Sequence, residues 1–375
     1  MRQDSDVVCW TAEQVRAIAP GPAHVAPVIG DADFARVGEG MDLWDAWPVQ
    51  DADGVPARLA GGATLWMALG APRFADPDQR HAHARIHLLQ WDERGWTHLG
   101  PAMPDGFSPG SREWSGSAVL AADRRNLVLY FTAAGVRGES DPGFAQRLCL
   151  ARATLEGAPG AYRLAGWRGL RDIVLLDPAD YMAGDAGGGA PGTIKAFRDP
   201  AFFRDPADGT NYVFFAGSRA GSVSAFNGVI GAATARAEAP EHWELLRPLI
   251  SADGLNNELE RPHAVFHGGL YYLFWSTQAQ VFDPAGPVGP TGLYGMVSNS
   301  LAGGWEPLNG TGLVFANPPE APAQAYSWLV LPDLSVTSFV DNWGPPGADE
   351  PRRLGGTFAP WLTLELDGAH AGLAR

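Results

Sequence analysis

Short runs rich in β-branched and aromatic residues recur along the whole chain, among them ATLWMALGA (63–71), ARIHLLQW (84–91), SAVLAADRRNLVLYFTAAG (117–135), NYVFFAGS (211–218), HAVFHGGLYYLFWST (263–277), LVLPDLSVTSFV (329–340) and TFAPWLTLEL (357–366). Several are joined by tight polar or glycine-containing turns, such as AADRRN between SAVL and LVLYF, or HGG between AVF and LYYLFW, and these read as hairpins. Helical periodicity shows only in TAEQVRAIA (11–19). Such a chain is confined to an all-β architecture of mostly antiparallel hairpins in series, and both a propeller and a large sandwich satisfy that pattern. No literal repeat of about 40–50 residues is visible, which counts against WD40 or kelch arrays.

With 375 residues and 46% hydrophobic content the chain can bury a large core. Its Gly/Pro-rich stretches, AGDAGGGAPG (183–192), DPAGPVGP (283–290) and WGPPGADE (343–350), are short and flanked by strand-like runs, so they read as loops within one domain spanning residues 1–375. A formal charge of −15 spread along the sequence argues against nucleic acid or an anionic membrane as partner. Two cysteines, Cys9 and Cys149, cannot make a disulfide scaffold. The first residues show no apolar signal-peptide region, and no apolar run reaches the length of a spanning helix, so export to the periplasm or the medium would need another route or a leader not seen here; a cytoplasmic location is the alternative.

Residues 197–206 read FRDPAFFRDP, the same four letters twice in ten residues. In the second copy, Asp205-Pro206-Ala207-Asp208-Gly209 lies between two β runs and supplies hairpin-turn residues. The first copy stands where a loop leads into a strand; Arg198 and Asp199 there form either a local ion pair or part of a site.

Two other segments bring acids into unusual company. MDLWDAWPVQ (41–50) sets Asp42 and Asp45 among Trp44 and Trp47, either as a solvated hairpin over a tryptophan core or as a pocket in which rings meet a sugar face and carboxylates accept from its hydroxyls. NNELERPHAVF (256–266) places Glu258 and Glu260 two apart beside Arg261. Like charges at that spacing raise each other's proton affinity, as a general acid requires; a solvated edge strand is the alternative.

Together these segments resemble glycoside hydrolase family 68, the levansucrase, inulosucrase and bacterial β-fructofuranosidase group. The resemblance runs in order through LWDAWPVQDADG (43–54), ALGAPR (68–73), HARIHLL (83–89), GSREWSGSAV (110–119), YFTAAG (130–135), FAQRLCLA (144–151), IKAFRDPAFF (194–203), FNGVIGAA (226–233), NNELERPH (256–263) and AYSWLVLP (325–332), and its compact length is similar to the Gram-negative branch. It implies a five-bladed β-propeller with a central funnel-shaped pocket. It also implies Asp45 as nucleophile, Asp199 as transition-state stabiliser and Glu260 as general acid/base, with Trp44, Trp114, Ser115, Arg198, Glu258, Arg261, Tyr326 and Gln278 binding sugar.

The activity so implied is retaining fructosyl transfer from sucrose, through a covalent fructosyl-enzyme, to sucrose, fructan or fructooligosaccharide acceptors or to water, with no cofactor and no metal. Gln278, where the family usually has a basic residue, and Ala216, where it commonly has glutamate, favour an alternative of mainly hydrolytic β-fructofuranosidase. A propeller that binds fructan without cleaving it is the alternative from another class. Asn257 replaces the aspartate of the Gram-positive calcium site, and an uncharged amide weakens a hard-cation site. His81, His83 and His87 lie close in sequence but read as structural or solvated side chains on an alternating strand rather than zinc ligands.

Overall fold

The computed structural model describes residues 7–186, 193–344 and 353–374. The glycine-rich run at 187–192 and most of the run at 343–350, both read above as loops, lie outside the described residues. The chain is mostly β, with strands laid down as antiparallel meanders in sequence order. An eight-stranded sheet comprises two such meanders, Met41–Gln50 through Gly95–Pro101 and Arg112–Leu120 through Arg163–Asp172, joined by parallel pairing of Val49 and Gln50 with Ala118 and Val119. The next sheets begin with Phe197–Arg204, Glu260–His267 and Ala325–Val330. The hairpins expected at 117–135 and 263–277 form, pairing Leu120 with Leu127 and His267 with Leu270.

The helix expected over 11–19 is shorter, Ala12–Arg16. Thr11 caps it, accepting from the Gln14 amide while the Gln14 side chain accepts from the Thr11 amide. Only Val15 of the helix is buried, so little packing carries it further.

The strands Met41–Gln50, Arg112–Leu120, Phe197–Arg204, Glu260–His267 and Ala325–Val330 pack side by side, each against the next and the last against the first, closing a ring. Each carries a register shift against its hairpin partner, at Trp44/Trp47, Trp114/Gly116, Arg198/Ala201, Glu260/His263 and Tyr326/Leu329. A bulge bends a strand and re-aims the side chain at the extra position. That position has positive φ at Asp45 (52°), Asp199 (64°), Arg261 (49°) and Ser327 (62°), a backbone conformation uncommon for residues with a Cβ. In the second strand, Gly116 is required by close approach: a Cβ there would lie 1.9 Å from the Tyr130 carbonyl oxygen. The repeat that no sequence period revealed is therefore a repeated bulge.

Behind the bulges, Trp47, Phe197, Trp275 and Trp328 are fully buried. Truncating any of these to alanine costs about 3–5 kcal/mol, so the ring is held from outside by aromatic packing while its inner edge presents polar side chains.

Candidate active site

The bulges bring the predicted acids together. Ser115 Oγ donates to Asp45 Oδ2 at 2.9 Å, and Ser327 gives Asp45 a second side-chain hydrogen bond. Thr132 Oγ1 donates to the Ser115 carbonyl at 3.2 Å and accepts from the Asp199 amide at 2.8 Å, tying the first three strands of the ring at one level. Arg198 Nη2 donates to Glu260 Oε1 at 2.7 Å, with Glu258 Oε1 at 3.7 Å and Asp199 Oδ2 3.6 Å from its Nε. Tyr326 Oη donates to the other oxygen of Glu260. Arg261 closes the ring, donating to the Ala46 carbonyl at 2.7 Å and to the Ser327 carbonyl and hydroxyl at 3.0 and 2.9 Å.

Burial sets the proton affinities. It raises the Asp45 carboxyl above the usual range, with Glu260 adding to the rise and Arg261 and the Ser327 and Ser115 hydroxyls opposing it. Asp199, 7% exposed, is pushed up to about 7 by burial and by Glu260 and Asp45, against the pull of Arg198. Burial, with the neighbouring Glu260 charge, likewise raises Glu258. The Arg198 guanidinium is held firmly protonated by Glu260, Glu258 and Asp199, despite a desolvation that acts the other way. Its Nη1 is buried with no hydrogen-bond partner among the described residues, an unusual state for a charged donor.

The local ion pair of Arg198 and Asp199 exists, and it lies within the cluster of acids. The second RDP copy is the expected turn, with Asp205 accepting from the Ala207 amide and from Tyr271 Oη at 2.6 Å. Trp44 is buried beneath the Arg80 guanidinium, 5.4 Å from the ring centroid, and Trp114 is half-buried beneath Arg112. Asp42 is separate from the cluster, paired with Arg36 at 2.9 Å and Arg73 at 3.6 Å. Gln278 follows the strand Leu270–Thr277, and its side-chain carbonyl accepts from the Gln280 amide. Ala216, where the family commonly has glutamate, is a buried residue paired directly across from Arg198.

The three close histidines have different partners: His81 meets the Trp44 ring edge-on, His83 stacks on Phe74 and His87 Nδ1 lies 2.9 Å from His98 Nε2. Asn257 Oδ1 accepts from the Lys195 ammonium at 2.8 Å. Ser327 and Thr132 escaped the sequence reading. Ser327 adjoins the named Tyr326, but only the bulge turns it toward Asp45.

Comparison with known proteins gives the family. The model of glycoside hydrolase family 68, described as levansucrase/invertase, matches residues 2–227 and 221–374. A levansucrase of Rahnella aquatilis is 32% identical over 98% of this chain and 94% of its own length, and one of Zymomonas mobilis is 32% identical over 96% and 88%. Among solved structures, the inulosucrase of Halalkalicoccus jeotgali bound to kestose superposes with a TM-score of 0.89 at 33% identity, covering 98% of this chain and 95% of that one. A polar cluster built on bulged strands, a match along nearly the whole sequence and a shared fold lead to one assignment: the chain belongs to glycoside hydrolase family 68.

Proposed function

We propose that the protein is a retaining fructosyltransferase of levansucrase type. The carrying observation is the convergence of Asp45, Asp199 and Glu260, from three strands, on one network of guanidinium and hydroxyl donors. Asp45, oriented by Ser115 and Ser327, attacks the anomeric carbon of the fructosyl unit of sucrose. Glu260, held by Tyr326 and Arg198, gives its proton to the departing glucosyl oxygen. Asp199 accepts from fructosyl hydroxyls and stabilises the oxocarbenium-like charge, while Nη1 of Arg198 donates to a sugar hydroxyl. Glu260, now a carboxylate, takes the proton of the incoming acceptor, and the ester bond to Asp45 breaks with retention.

Relatives named levansucrase and a neighbouring inulosucrase support fructan growth over simple hydrolysis. A proton donor held opposite a nucleophile supports an enzyme over a binding module. The ring of five bulged strands supports a single five-bladed propeller whose axial funnel admits the sugar. The test is incubation with sucrose and quantification of glucose, fructose and oligosaccharides over time. Glucose in excess of fructose is expected, with activity absent in Asp45→Ala. Equimolar sugars would make the protein a hydrolase, and no glucose from any fructoside would overturn the reading.

A further inference from the structure

Lys195 is the only lysine in the sequence; the other basic side chains among the 27 Lys and Arg are arginines. It is also buried, at 6% exposure. Its ammonium donates to the Ala225 carbonyl at 2.6 Å, to Asn227 Oδ1 at 2.8 Å and to Asn257 Oδ1 at 2.8 Å. Three donors meet three oxygens, so the group is saturated. A planar guanidinium cannot present three donors from one atom, which gives a physical reason for lysine at this place in a chain otherwise built with arginine.

The oxygens come from two segments, and the ammonium from a third. Asn257 is fixed further by donating to the Ile194 carbonyl at 3.1 Å, and its amide donates to the Val281 carbonyl. Asn227 donates to the Arg219 carbonyl at 2.8 Å. Gly228 allows the close approach of these segments: a Cβ there would lie 2.8 Å from the Asn257 backbone. The Lys195 carbonyl accepts from Gln146, whose own side-chain oxygen accepts from the Phe197 amide, so the lysine is held from both ends. Three residues on from Lys195 stand Arg198 and then Asp199; directly after Asn257 come Glu258 and then Glu260.

We infer that Lys195 is a positioning residue for the reaction, its ammonium pinning the segment that carries Arg198 and Asp199 to the segment that carries Glu258 and Glu260. With all three donors engaged by protein oxygens, it acts through the 2.7 Å contact of Arg198 with Glu260. Burial pulls its proton affinity below the usual lysine range, and the charge of Glu258 opposes that pull and keeps the ammonium in place. The inference rests on the fructosyltransferase reading for its kinetic consequence but not for its geometry.

The experiment therefore has a kinetic arm and a spectroscopic arm. Lys195→Met keeps length and removes charge; glucose release from sucrose is expected to fall in kcat by about 10²-fold, since displaced groups cost about that much, with KM little changed. Lys195→Arg is expected to fail to restore kcat, and Asn257→Ala, which leaves the lysine in place, to show a smaller loss of the same kind. Folded Lys195→Met with kcat within about twofold of the parent, or full rescue by arginine, would overturn the inference.

Labelling the full chain with 15N-lysine gives a single Nζ signal, expected to be protected from water exchange near neutral pH and to lose that protection in Asn257→Ala. A rapidly exchanging Nζ would overturn the cage even if the kinetic variants did not fold. Failure of the unmodified protein to cleave sucrose would refute the proposed activity, while a protected Nζ signal would still support the cage.

Discussion

Arg198 Nη2 lies 2.7 Å from Glu260 Oε1, and the same guanidinium lies 3.6 Å from Asp199, so one cation stands between two acids given opposite tasks. In the mechanism proposed above, one acid surrenders a proton to a leaving oxygen, whereas the other lends negative charge to a cationic transition state. A guanidinium that cannot deprotonate serves both by fixing positions rather than by exchanging protons.

The two RDP copies separate by mutation. Asp199→Ala is expected to lower kcat by roughly 10⁴-fold or more with the fold intact, whereas Asp205→Ala keeps kcat. Because Asp205 accepts from Tyr271 Oη and from the Ala207 amide, its loss costs about 1–3 kcal/mol of stability, read as a lower denaturant midpoint.

Asp199 also links stability to pH. Its folded-state proton affinity, near 7 against the ordinary 3.8, exceeds that of the unfolded chain. The folded state is therefore favoured below about pH 4, and that contribution is lost as pH rises through 7. Asp199→Asn removes the burden, and is expected to be more stable than the parent by up to about 4 kcal/mol at pH 8 and by little at pH 4. Chemical denaturation at both pH values checks this; equal differences would refute it.

Ser327→Ala tests the residue that sequence reading missed. Its hydroxyl lowers the proton affinity of Asp45, so removing it raises that affinity further. The acid limb of kcat/KM is expected to move to higher pH, with a loss of roughly tenfold at the optimum.

His263 gives a signature of the opposite sign over much the same pH range. It donates from Nδ1 to the Arg261 carbonyl and accepts at Nε2 from the Val330 amide, each at 2.9 Å, and burial holds it neutral down to about pH 4. Its folded affinity is depressed, so its contribution is complete above the ordinary value of 6.5 and is lost as pH falls through 4. His263→Gln should shift the acid-unfolding midpoint and flatten the dependence between pH 6 and 4, monitored by tryptophan fluorescence.

The sequence disclosed the all-β class, the hairpins at 117–135 and 263–277, and the segments that hold the cluster, because each is a local pattern of alternation or of acid beside aromatic. It did not disclose the bulges. Nothing in the letters WDAWP, RDPA, ERPH and YSWL marks the residue whose φ turns positive, since that is decided where two residues of the inner strand face one of its partner, opposite Ala68, Phe215, Trp275 and Ser338. The helix at 11–19 was overread for the reverse reason: a local pattern persisted where packing did not. The place of Ala216, buried opposite Arg198, is likewise visible only in the strand register.

The repeated bulge has a consequence for how this molecule can change. Each of Asp45, Ser115, Asp199, Arg261 and Ser327 occupies an extra place that no cross-strand partner shares. These places behave as sockets on a fixed frame: exchanging a side chain in one alters the chemistry of the cluster while the hydrogen-bonded pairs outside keep their count. Deleting the residue instead removes the socket, because the remaining residues then pair as a regular ladder and keep their faces. New specificities in this scaffold are thus reached by substitution at the sockets, whereas shortening an inner strand at its bulge takes a polar side chain out of the cluster.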